Sequence, residues 1–303
     1  MRLQVITVPY RYDTRAAGVG LGPQALIDAG LLDRLRGLGH EVDGPLEAVL
    51  KDDEREEGRT AVNIGRLGSR TATHVAAARR EGAGALVLAG DDTASIGVLS
   101  GVQLADGAAT PVGLVWIDAH GDFNTPETSF SGILAGMPVA ILAGLAGPLW
   151  REAAGLAATL PTDRILLAGV RELDEQEATL IRSTDARVVT VREARDASTL
   201  GAAVERLANR CTHLCLHVDL DVLDPHLVPS ASTPSAGGLD LDDASAAIAT
   251  VLRTGHVATL CVTSLNPGAG KRGERSVASA LTLLDQALGA WERCPTASPG
   301  LPT

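Results

Sequence analysis

Seven short apolar runs, rich in β-branched residues and leucine, alternate with longer segments along the chain and constrain its fold more than any other feature. The longer segments carry apolar residues at three- and four-residue intervals, the spacing of helices that bury one face. This alternation is typical of repeated β-α units around a parallel sheet that is covered by helices on both faces. The predicted strands are 3–8, 85–88, 112–117, 164–167, 188–191, 213–218 and 258–262, and the predicted helices are 23–36, 61–80, 198–210, 242–253 and 275–293.

Short polar residues and glycines mark several predicted helix ends. Ser198 or Thr199 is expected to cap one helix and Asp240 another, because their side chains can accept hydrogen bonds from the free N–H groups of a first turn. Gly82 and Gly84 are expected to end the helix 61–80, since glycine adopts the left-handed conformation that often follows a helix.

The size and hydrophobicity of the chain predict one domain. A chain of 303 residues with 45% hydrophobic content can bury a single large core. We therefore expect one domain over residues 1–294, followed by a flexible proline-rich tail at 295–303 that has no apolar face. The charged segment 51–60 is expected to be solvated.

Charge and hydropathy exclude several function classes. The net charge of −11 and the pI near 5.1 disfavour binding to nucleic acid or anionic lipid, which requires clustered lysine and arginine. No apolar stretch is long enough to span a bilayer, and the first residues enter a strand pattern without the layout of a signal peptide, so we expect a cytoplasmic protein. Four cysteines in apolar settings are interpreted as core thiols rather than as a disulfide framework: Cys211, Cys215, Cys261 and Cys294.

Two acidic segments follow predicted strands. Asp-Ala-His-Gly-Asp at 118–122 comes directly after the run 112–117, and His-Val-Asp-Leu-Asp at 217–221 ends another run. Because residues two apart in a strand share one face, Asp219 and Asp221 project together, with His217 behind them. The carboxyl ends of strands are the usual place for ligands in an open α/β sheet. We therefore expect these segments to form one site.

The residue types in this site point to divalent cations. Four carboxylates and an imidazole in a cleft of low dielectric constant would repel one another by several kcal/mol if left unpaired. An oxygen-rich ligand set suits manganese or magnesium better than a structural zinc ion, which prefers thiolate and imidazole. A site with two Mn²⁺ ions is our first expectation.

Two other hydrolytic or nucleotide-binding classes lack their motifs. The sequence contains no Gly-x-Ser-x-Gly nucleophile elbow, and no Gly-Lys-Ser/Thr follows a glycine-rich turn. Neither a serine hydrolase nor a P-loop protein is supported.

The paired motifs, and their order, resemble those of the ureohydrolase family, which includes arginase, agmatinase and formimidoylglutamase. Asp-Ala-His-x-Asp at 118–122 and Asp-x-Asp-x-x-Asp-Pro at 219–225 are the specific matches, while 18–23 and 264–267 are weaker ones near the two ends of the chain. The resemblance implies a three-layer α/β/α sandwich around a mainly parallel eight-stranded sheet. It also implies hydrolysis of a guanidine-like C–N bond, and family members commonly form homo-oligomers.

The resemblance assigns metal-binding roles. Asp118 and Asp219 resemble the residues that bridge two manganese ions, Asp122 completes one site, and His120 with Asp221 completes the other. A water molecule between two such ions loses its proton at accessible pH, and the hydroxide can attack an electrophilic carbon. His120 and Asp122 are therefore candidate catalytic residues as well as ligands.

Three positions depart from the family pattern. Asp92 stands where the family usually has a metal-binding histidine, and we expect it to ligate and to favour a harder ion such as Mn²⁺ or Mg²⁺. Ala135 occupies the place of a histidine thought to shuttle protons in arginases. Ser264 replaces a glutamate that pairs with the substrate guanidinium in arginases and agmatinases. The changes at Asp92 and Ser264 together move negative charge from the substrate clamp to the metal ligands, which favours a substrate that is less basic than guanidinium, for instance an N-hydroxyguanidine such as N-hydroxyarginine.

Other positions match the arginase branch and favour a small amino-acid substrate. Asn124, Ser129 and Ser131 resemble residues that hold an α-carboxylate, and Asp174 resembles one that holds an α-amino group. Hydroxyl and amide donors suit a carboxylate, and an acidic side chain suits an ammonium group. Thr233 resembles a family threonine that lines the pocket, and Ser264, in the place of the family glutamate, is a further candidate for substrate binding.

Some alternatives remain open at this point. His217 could support the ligands or act as a substitute base, or it could be an ordinary core histidine. The chain could also be a formimidoyl or amidine hydrolase, or a catalytically silent relative that binds metal.

Overall fold

A parallel sheet of eight strands forms the centre of the protein within residues 1–292 and 294, which the computed structural model describes. Every neighbouring pair in this sheet is parallel, as the β-α pattern predicts. A separate hairpin consists of β2 (Tyr10–Arg11) and β3 (Thr14–Arg15). The sheet strands are β1 (Arg2–Val8), β4 (Glu41–Glu47), β5 (Gly84–Ala89), β6 (Val112–Ile117), β7 (Ile165–Val170), β8 (Arg187–Thr190), β9 (His213–Asp219) and β10 (Val257–Thr263), in the spatial order β4-β1-β5-β10-β9-β6-β7-β8.

Helices connect the strands and cover both faces of the sheet. They are α1 (Gly22–Asp28), α2 (Leu31–Gly37), α3 (Thr60–Arg80), α4 (Ser95–Asp106), α5 (Pro138–Leu142), α6 (Pro148–Ala154), α7 (Glu175–Arg182), α8 (Val191–Ala194), α9 (Ala197–Ala208), α10 (Leu241–Leu252) and α11 (Lys271–Leu288).

The predicted helix 23–36 is wrong as a single element. It is divided into α1 and α2 because Gly30 has a φ of 92°, a left-handed conformation that interrupts a helix. The cap of α9 is also corrected, since Asp196 rather than Ser198 or Thr199 accepts the hydrogen bond from the Ser198 N–H at 3.1 Å. The Asp240 cap is confirmed by its 2.8 Å hydrogen bond from the N–H of Asp243.

Strand β4 and helix α4 are absent from the sequence prediction for clear physical reasons. Strand β4 lies at the edge of the sheet and contains charged residues, glycine and proline, so it lacks an apolar run. Helix α4 is buried along most of its length and has no polar face that would give it a helical period. Neither element therefore has the amphipathic pattern on which the sequence prediction depends.

The core forms one apolar layer on each side of the sheet. In β1, Leu3 and Val5 belong to one layer, whereas Ile6 and Val8 belong to the other. Helices α1, α2, α9, α10 and α11 pack on the first side, and α3, α4, α5 and α6 pack on the second. The three-layer α/β/α expectation is therefore confirmed.

Four further expectations concern exposed or apolar parts of the chain. The segment 51–60 is mostly exposed, as expected, and all four cysteines are buried thiols. Among the helices in the described part of the chain, no helix is long and apolar enough to cross a membrane. The proline-rich tail predicted at 295–303 lies outside the described residues.

Candidate metal centre

The acidic residues of both motifs meet at the carboxyl-terminal edge of the sheet. Strands β6 and β9 are hydrogen-bonded neighbours, with Ile117 opposite Val218, so the residues that follow them, Asp118 and Asp219, lie side by side. Strand β10 borders β9 with Thr263 opposite Asp219, and β5 borders β10 and leads to Asp92. The order of the strands therefore assembles one cluster from four distant parts of the sequence.

The imidazole of His120 lies between two carboxylates. Its Nδ1 is 3.2 Å from Oδ1 of Asp118 and 3.2 Å from Oδ2 of Asp221. Asp118 is held further by the N–H of His120 at 2.7 Å and by Nε1 of Trp116, which donates to Oδ2 at 2.9 Å. This triad brings an imidazole nitrogen and two carboxylates within reach of a single ion.

Asp219 and Asp221 are oriented by their own turn. The N–H of Asp221 donates to Oδ1 of Asp219 at 2.7 Å, and the Ser264 hydroxyl donates to Oδ2 of Asp219. Thr233 donates to Oδ2 of Asp221 at 2.9 Å. Each carboxylate thus has a fixed orientation before any ligand binds.

Asp122 has an unusual backbone conformation. Its φ is 46°, in the left-handed region that aspartate tolerates better than most residues. The side chain is buried and lines the cavity described below. Asp122 therefore lines the same cavity as Asp92, His120 and Asp219.

Burial and mutual repulsion alter the charges of the cluster. Burial raises the pKa of Asp92, Asp118, Asp122 and Asp219 well above the usual range, and neighbouring carboxylates raise it further. Burial opposes the charge of His120, but its bonds to Asp118 and Asp221 outweigh this effect and raise its pKa to about 12. The metal-free cluster therefore holds protons that a cation would displace.

The donor set fits a pair of hard divalent cations. Among the described residues there are two groups of potential ligands, and within each group the ligand atoms all lie within 4.8 Å of one another. The groups are Asp118 with His120 and Asp221, and Asp92 with Asp118 and His217. Asp118 belongs to both groups, which is the position that a bridging ligand must have. Carboxylate oxygens dominate the cluster, as manganese and magnesium prefer.

Asp92 and the preceding Asp91 have different surroundings. Oδ1 of Asp92 accepts a hydrogen bond from Thr263 Oγ1 at 2.6 Å and lies 2.9 Å from Nε2 of His217, and the residue lines the cavity. Asp91 instead accepts from the N–H groups of Tyr12 at 2.6 Å and Thr93 at 3.1 Å. Only Asp92 is therefore available to the cluster.

His217 lies beneath the cluster and does not line the cavity. Its ring stacks on Trp116 with centroids 3.5 Å apart and planes within 4°. Burial lowers its pKa to about 3, so the ring is neutral at neutral pH. This placement is compatible with support of Asp92, whereas the ring has no direct access to a substrate in the cavity.

A cavity of about 190 Å³ opens above the cluster. Asn124, Ser131, Asp174 and Thr233 line it, as their proposed contacts with substrate require. The residues that line it together with these are Asp92, His120, Asp122, Ile133, Ala135, Gly136, Glu172, Glu177, Asp219 and Ser232.

Two expected substrate contacts lie elsewhere. Ser129 borders a neighbouring groove with Phe130, and its hydroxyl accepts from the N–H of Gly132 at 2.9 Å. Ser264 is wholly buried and is bonded to Asp219 rather than facing the cavity. Ser131 lines the cavity and also accepts from the N–H of Ile133 at 3.2 Å.

Several supporting residues have no assigned role in the sequence analysis. Glu177 accepts from the N–H of Phe123 at 2.8 Å and from that of Asp174 at 3.3 Å, which connects the loops on both sides of the cavity. Arg171 donates to the carbonyl oxygens of Asp221 at 2.6 Å and Ser235 at 2.8 Å. Their long-range partners leave no local sequence signal, although an arginine directly after a strand end is a candidate for such a role.

Comparisons with known proteins agree with this geometry. A model of the arginase family matches residues 1–289. The arginase of Bacillus caldovelox is 31% identical over 289 residues, which cover 92% of this chain and 96% of that protein. The arginase of Bacillus subtilis is 30% identical over 272 residues, which cover 88% of this chain and 90% of that protein.

Solved structures extend the similarity to three dimensions. The Bacillus caldovelox arginase structure matches with a TM-score of 0.85 at 30% identity, over 95% of this chain and 98% of that chain. The formimidoylglutamase of Bacillus subtilis shares the fold, with a TM-score of 0.72 at 17% identity over 95% of this chain and 86% of that chain. The chain therefore belongs to the arginase family, whose members are hydrolases that act on amidino and guanidino C–N bonds.

Proposed function

We propose that this protein is a binuclear metal hydrolase that cleaves the guanidine-type C–N bond of an arginine-like amino acid. The observation that carries the proposal is the position of Asp118. Its carboxylate belongs to one close group of potential ligands with His120 and Asp221, and to a second with Asp92 and His217. A bridging carboxylate between two ions explains why so many acidic groups are buried together.

The ligands of the two ions follow from the same cluster. Asp118 and Asp219 would bridge the ions, with Asp122, Asp92, His120 and Asp221 completing their coordination. Asp118, His120, Asp221 and Asp92 belong to the close groups of ligand atoms, whereas Asp122 and Asp219 belong to neither group and line the adjoining cavity. Mn²⁺ is the proposed ion, and Mg²⁺ or another hard divalent cation also suits a set with one imidazole and five carboxylates. When bound, such ions lower the pKa of a water molecule and polarise the guanidine carbon.

Polar residues at the mouth of the cavity would hold the amino-acid end of the substrate. Asn124 donates to Oδ2 of Asp174 at 3.3 Å, which keeps this carboxylate at the cavity wall. Asp174 suits an α-ammonium group, and the Ser131 hydroxyl suits an α-carboxylate. Glu177 supports this wall through the N–H of Asp174.

The residues around the reacting end favour a weakly basic guanidine. Ala135 lines the cavity and cannot transfer a proton. Ser264 offers no charge and is bonded to Asp219. The absence of a carboxylate partner costs an N-hydroxyguanidine less binding free energy than it costs a guanidinium, because the N-hydroxyguanidine is less basic. N-hydroxyarginine is therefore the proposed substrate.

A substrate panel tests the proposal. The manganese-loaded protein would be assayed with N-hydroxy-L-arginine, L-arginine, agmatine and N-formimidoyl-L-glutamate, with detection of hydroxyurea, urea or formamide. We expect the highest kcat/KM with N-hydroxy-L-arginine and very little turnover of agmatine, which lacks the carboxylate. Preferential turnover of the formimidoyl compound would contradict the guanidine assignment, and turnover of none, with two ions bound, would favour a silent relative.

A further inference from the structure

The carboxylate of Asp92 is held from behind by two donors on neighbouring strands. His217 belongs to β9 and Thr263 to β10, and both contact the same oxygen, Oδ1, at 2.9 and 2.6 Å. Because Asp92 lines the cavity, Oδ2 is the oxygen left for a ligand there. A carboxylate with one oxygen saturated in this way can bind an ion through the other oxygen alone.

The hydrogen-bond pattern of His217 indicates which ring nitrogen carries the proton. Its Nδ1 is buried and has no partner within the described residues, whereas Nε2 faces Asp92. A proton on Nε2 pairs with the carboxylate and leaves Nδ1 as a bare acceptor. A proton on Nδ1 would instead leave a buried donor unpaired and set two acceptors against each other, which is more costly. The geometry therefore favours donation from Nε2 to Asp92 over direct metal binding by that nitrogen.

Trp116 fixes the position of the imidazole. The indole stacks on the His217 ring at 3.5 Å and donates through Nε1 to Oδ2 of Asp118 at 2.9 Å. Trp116 thus contacts both His217, which lies against Asp92, and Asp118, which is proposed to bridge the ions. Rotation of His217 would disrupt this stacking, so Asp92 has little freedom.

We propose that His217, together with Thr263, is a positioning residue that holds Asp92 in the orientation required for metal binding. The proposal rests on the proposed function, in which Asp92 is a ligand. The positioning role also explains an aspartate at position 92 in place of the family's histidine, because the shorter aspartate side chain leaves room for the His217 imidazole behind it. Groups that orient ligands in this way typically change metal affinity 10- to 100-fold when they are removed.

Calorimetric titration of Mn²⁺ into the metal-free full-length protein tests this role without reference to activity. His217→Leu and Thr263→Val remove one donor each, whereas His217→Gln keeps an N–H at a similar position and Thr263→Ser keeps the hydroxyl. We expect the first pair to weaken binding at the site that contains Asp92 by about 10- to 100-fold. The Mn²⁺ affinity of His217→Gln and Thr263→Ser should stay within about threefold of that of the unsubstituted protein, which is well below the loss expected on removal of a donor.

His213→Gln is the matched control, because His213 is a buried histidine on the same strand that lies near Asp106 rather than the cluster. It should leave manganese binding unchanged. If His217→Leu does not fold, as judged by circular dichroism, Thr263→Val still tests the second donor to the same oxygen.

The outcomes separate this inference from the proposed function. Unchanged affinity in His217→Leu and Thr263→Val would overturn the positioning role. An equal loss in His217→Gln and His217→Leu would also overturn it, because the imidazole would then be a direct ligand. Failure of the unsubstituted protein to bind manganese would overturn the proposed function as well, whereas a loss confined to the donor-removing variants supports both.

Discussion

Ser264 directly follows β10, and its hydroxyl donates a hydrogen bond to Oδ2 of Asp219, the last residue of β9. Ser264 has a φ of 69°, and its N–H donates to the carbonyl oxygen of Gly90 at 2.9 Å, so its backbone is fixed in a left-handed conformation. The side chain consequently points at a proposed bridging ligand. Asp219 lines the cavity, so the Ser264 hydroxyl lies directly behind one residue of the cavity wall.

Ser264→Glu should therefore shift substrate preference towards plain arginine. A carboxylate at this position would pair with a guanidinium, and hydrogen bonds to charged groups contribute about 1.5–3 kcal/mol. We expect the ratio of kcat/KM for L-arginine to that for N-hydroxy-L-arginine to rise by about 10- to 100-fold, as that energy implies. Ser264→Ala is the control, since it removes the bond to Asp219 without adding charge. Equal changes in both variants would argue against a charge effect.

Asp174→Asn should weaken recognition of the α-amino group. The amide is neutral, so the charge-assisted bond to an ammonium group is lost, and kcat/KM for the amino-acid substrate should fall by about 10- to 100-fold. The control is a substrate that lacks the α-amino group, for which the same variant should lose very little. A similar loss with both substrates would indicate that Asp174 acts through the shape of the cavity instead.

Manganese binding should release protons. His120 is protonated in the metal-free protein because its pKa is raised to about 12, and the buried carboxyls retain protons for the same electrostatic reason. Each proton released makes the apparent affinity rise about tenfold per pH unit. Titration calorimetry in buffers of different ionisation enthalpy should give more than one proton per protein. Affinity independent of pH between about 6.5 and 8.5 would contradict this prediction.

Stability of the metal-free protein should fall as pH rises from about 7.5 to 8.5, between the usual pKa values of histidine and cysteine. His120 has a folded pKa above its unfolded value, so its contribution is complete below about pH 6.5 and is lost as pH rises towards the folded pKa. One such proton changes stability by up to about 1.4 kcal/mol per pH unit.

Denaturant unfolding of the metal-free protein at these two pH values measures the effect. His120→Gln is the control, because it removes one of the titrating groups and should reduce the slope by up to about 1.4 kcal/mol per pH unit. The same slope in this variant would show that other groups are responsible.

The parts of the fold and site that the sequence predicts are those with local signals. Strand β6 has the predicted limits, because its residues form one continuous apolar run, and Asp118 and Asp219 are found at strand ends because they directly follow such runs. His217 is on the predicted face, but alternation along one strand does not reveal its contacts with Asp92, in the turn after β5, and with Thr263 in β10. The loop with Ser129 and Ser131 has no period, so the different positions of these two hydroxyls could not be predicted.

The most direct test of the central claim is a comparison of hydroxyurea formation from N-hydroxy-L-arginine by the metal-free and manganese-loaded protein, with Asp219→Asn measured in parallel. We predict that product appears only with bound manganese, and that Asp219→Asn reduces both the bound metal and the rate by at least about 100-fold, the upper range for disturbance of a metal centre. Product formation at the same rate by the chelator-treated protein, or by Asp219→Asn, would contradict the account.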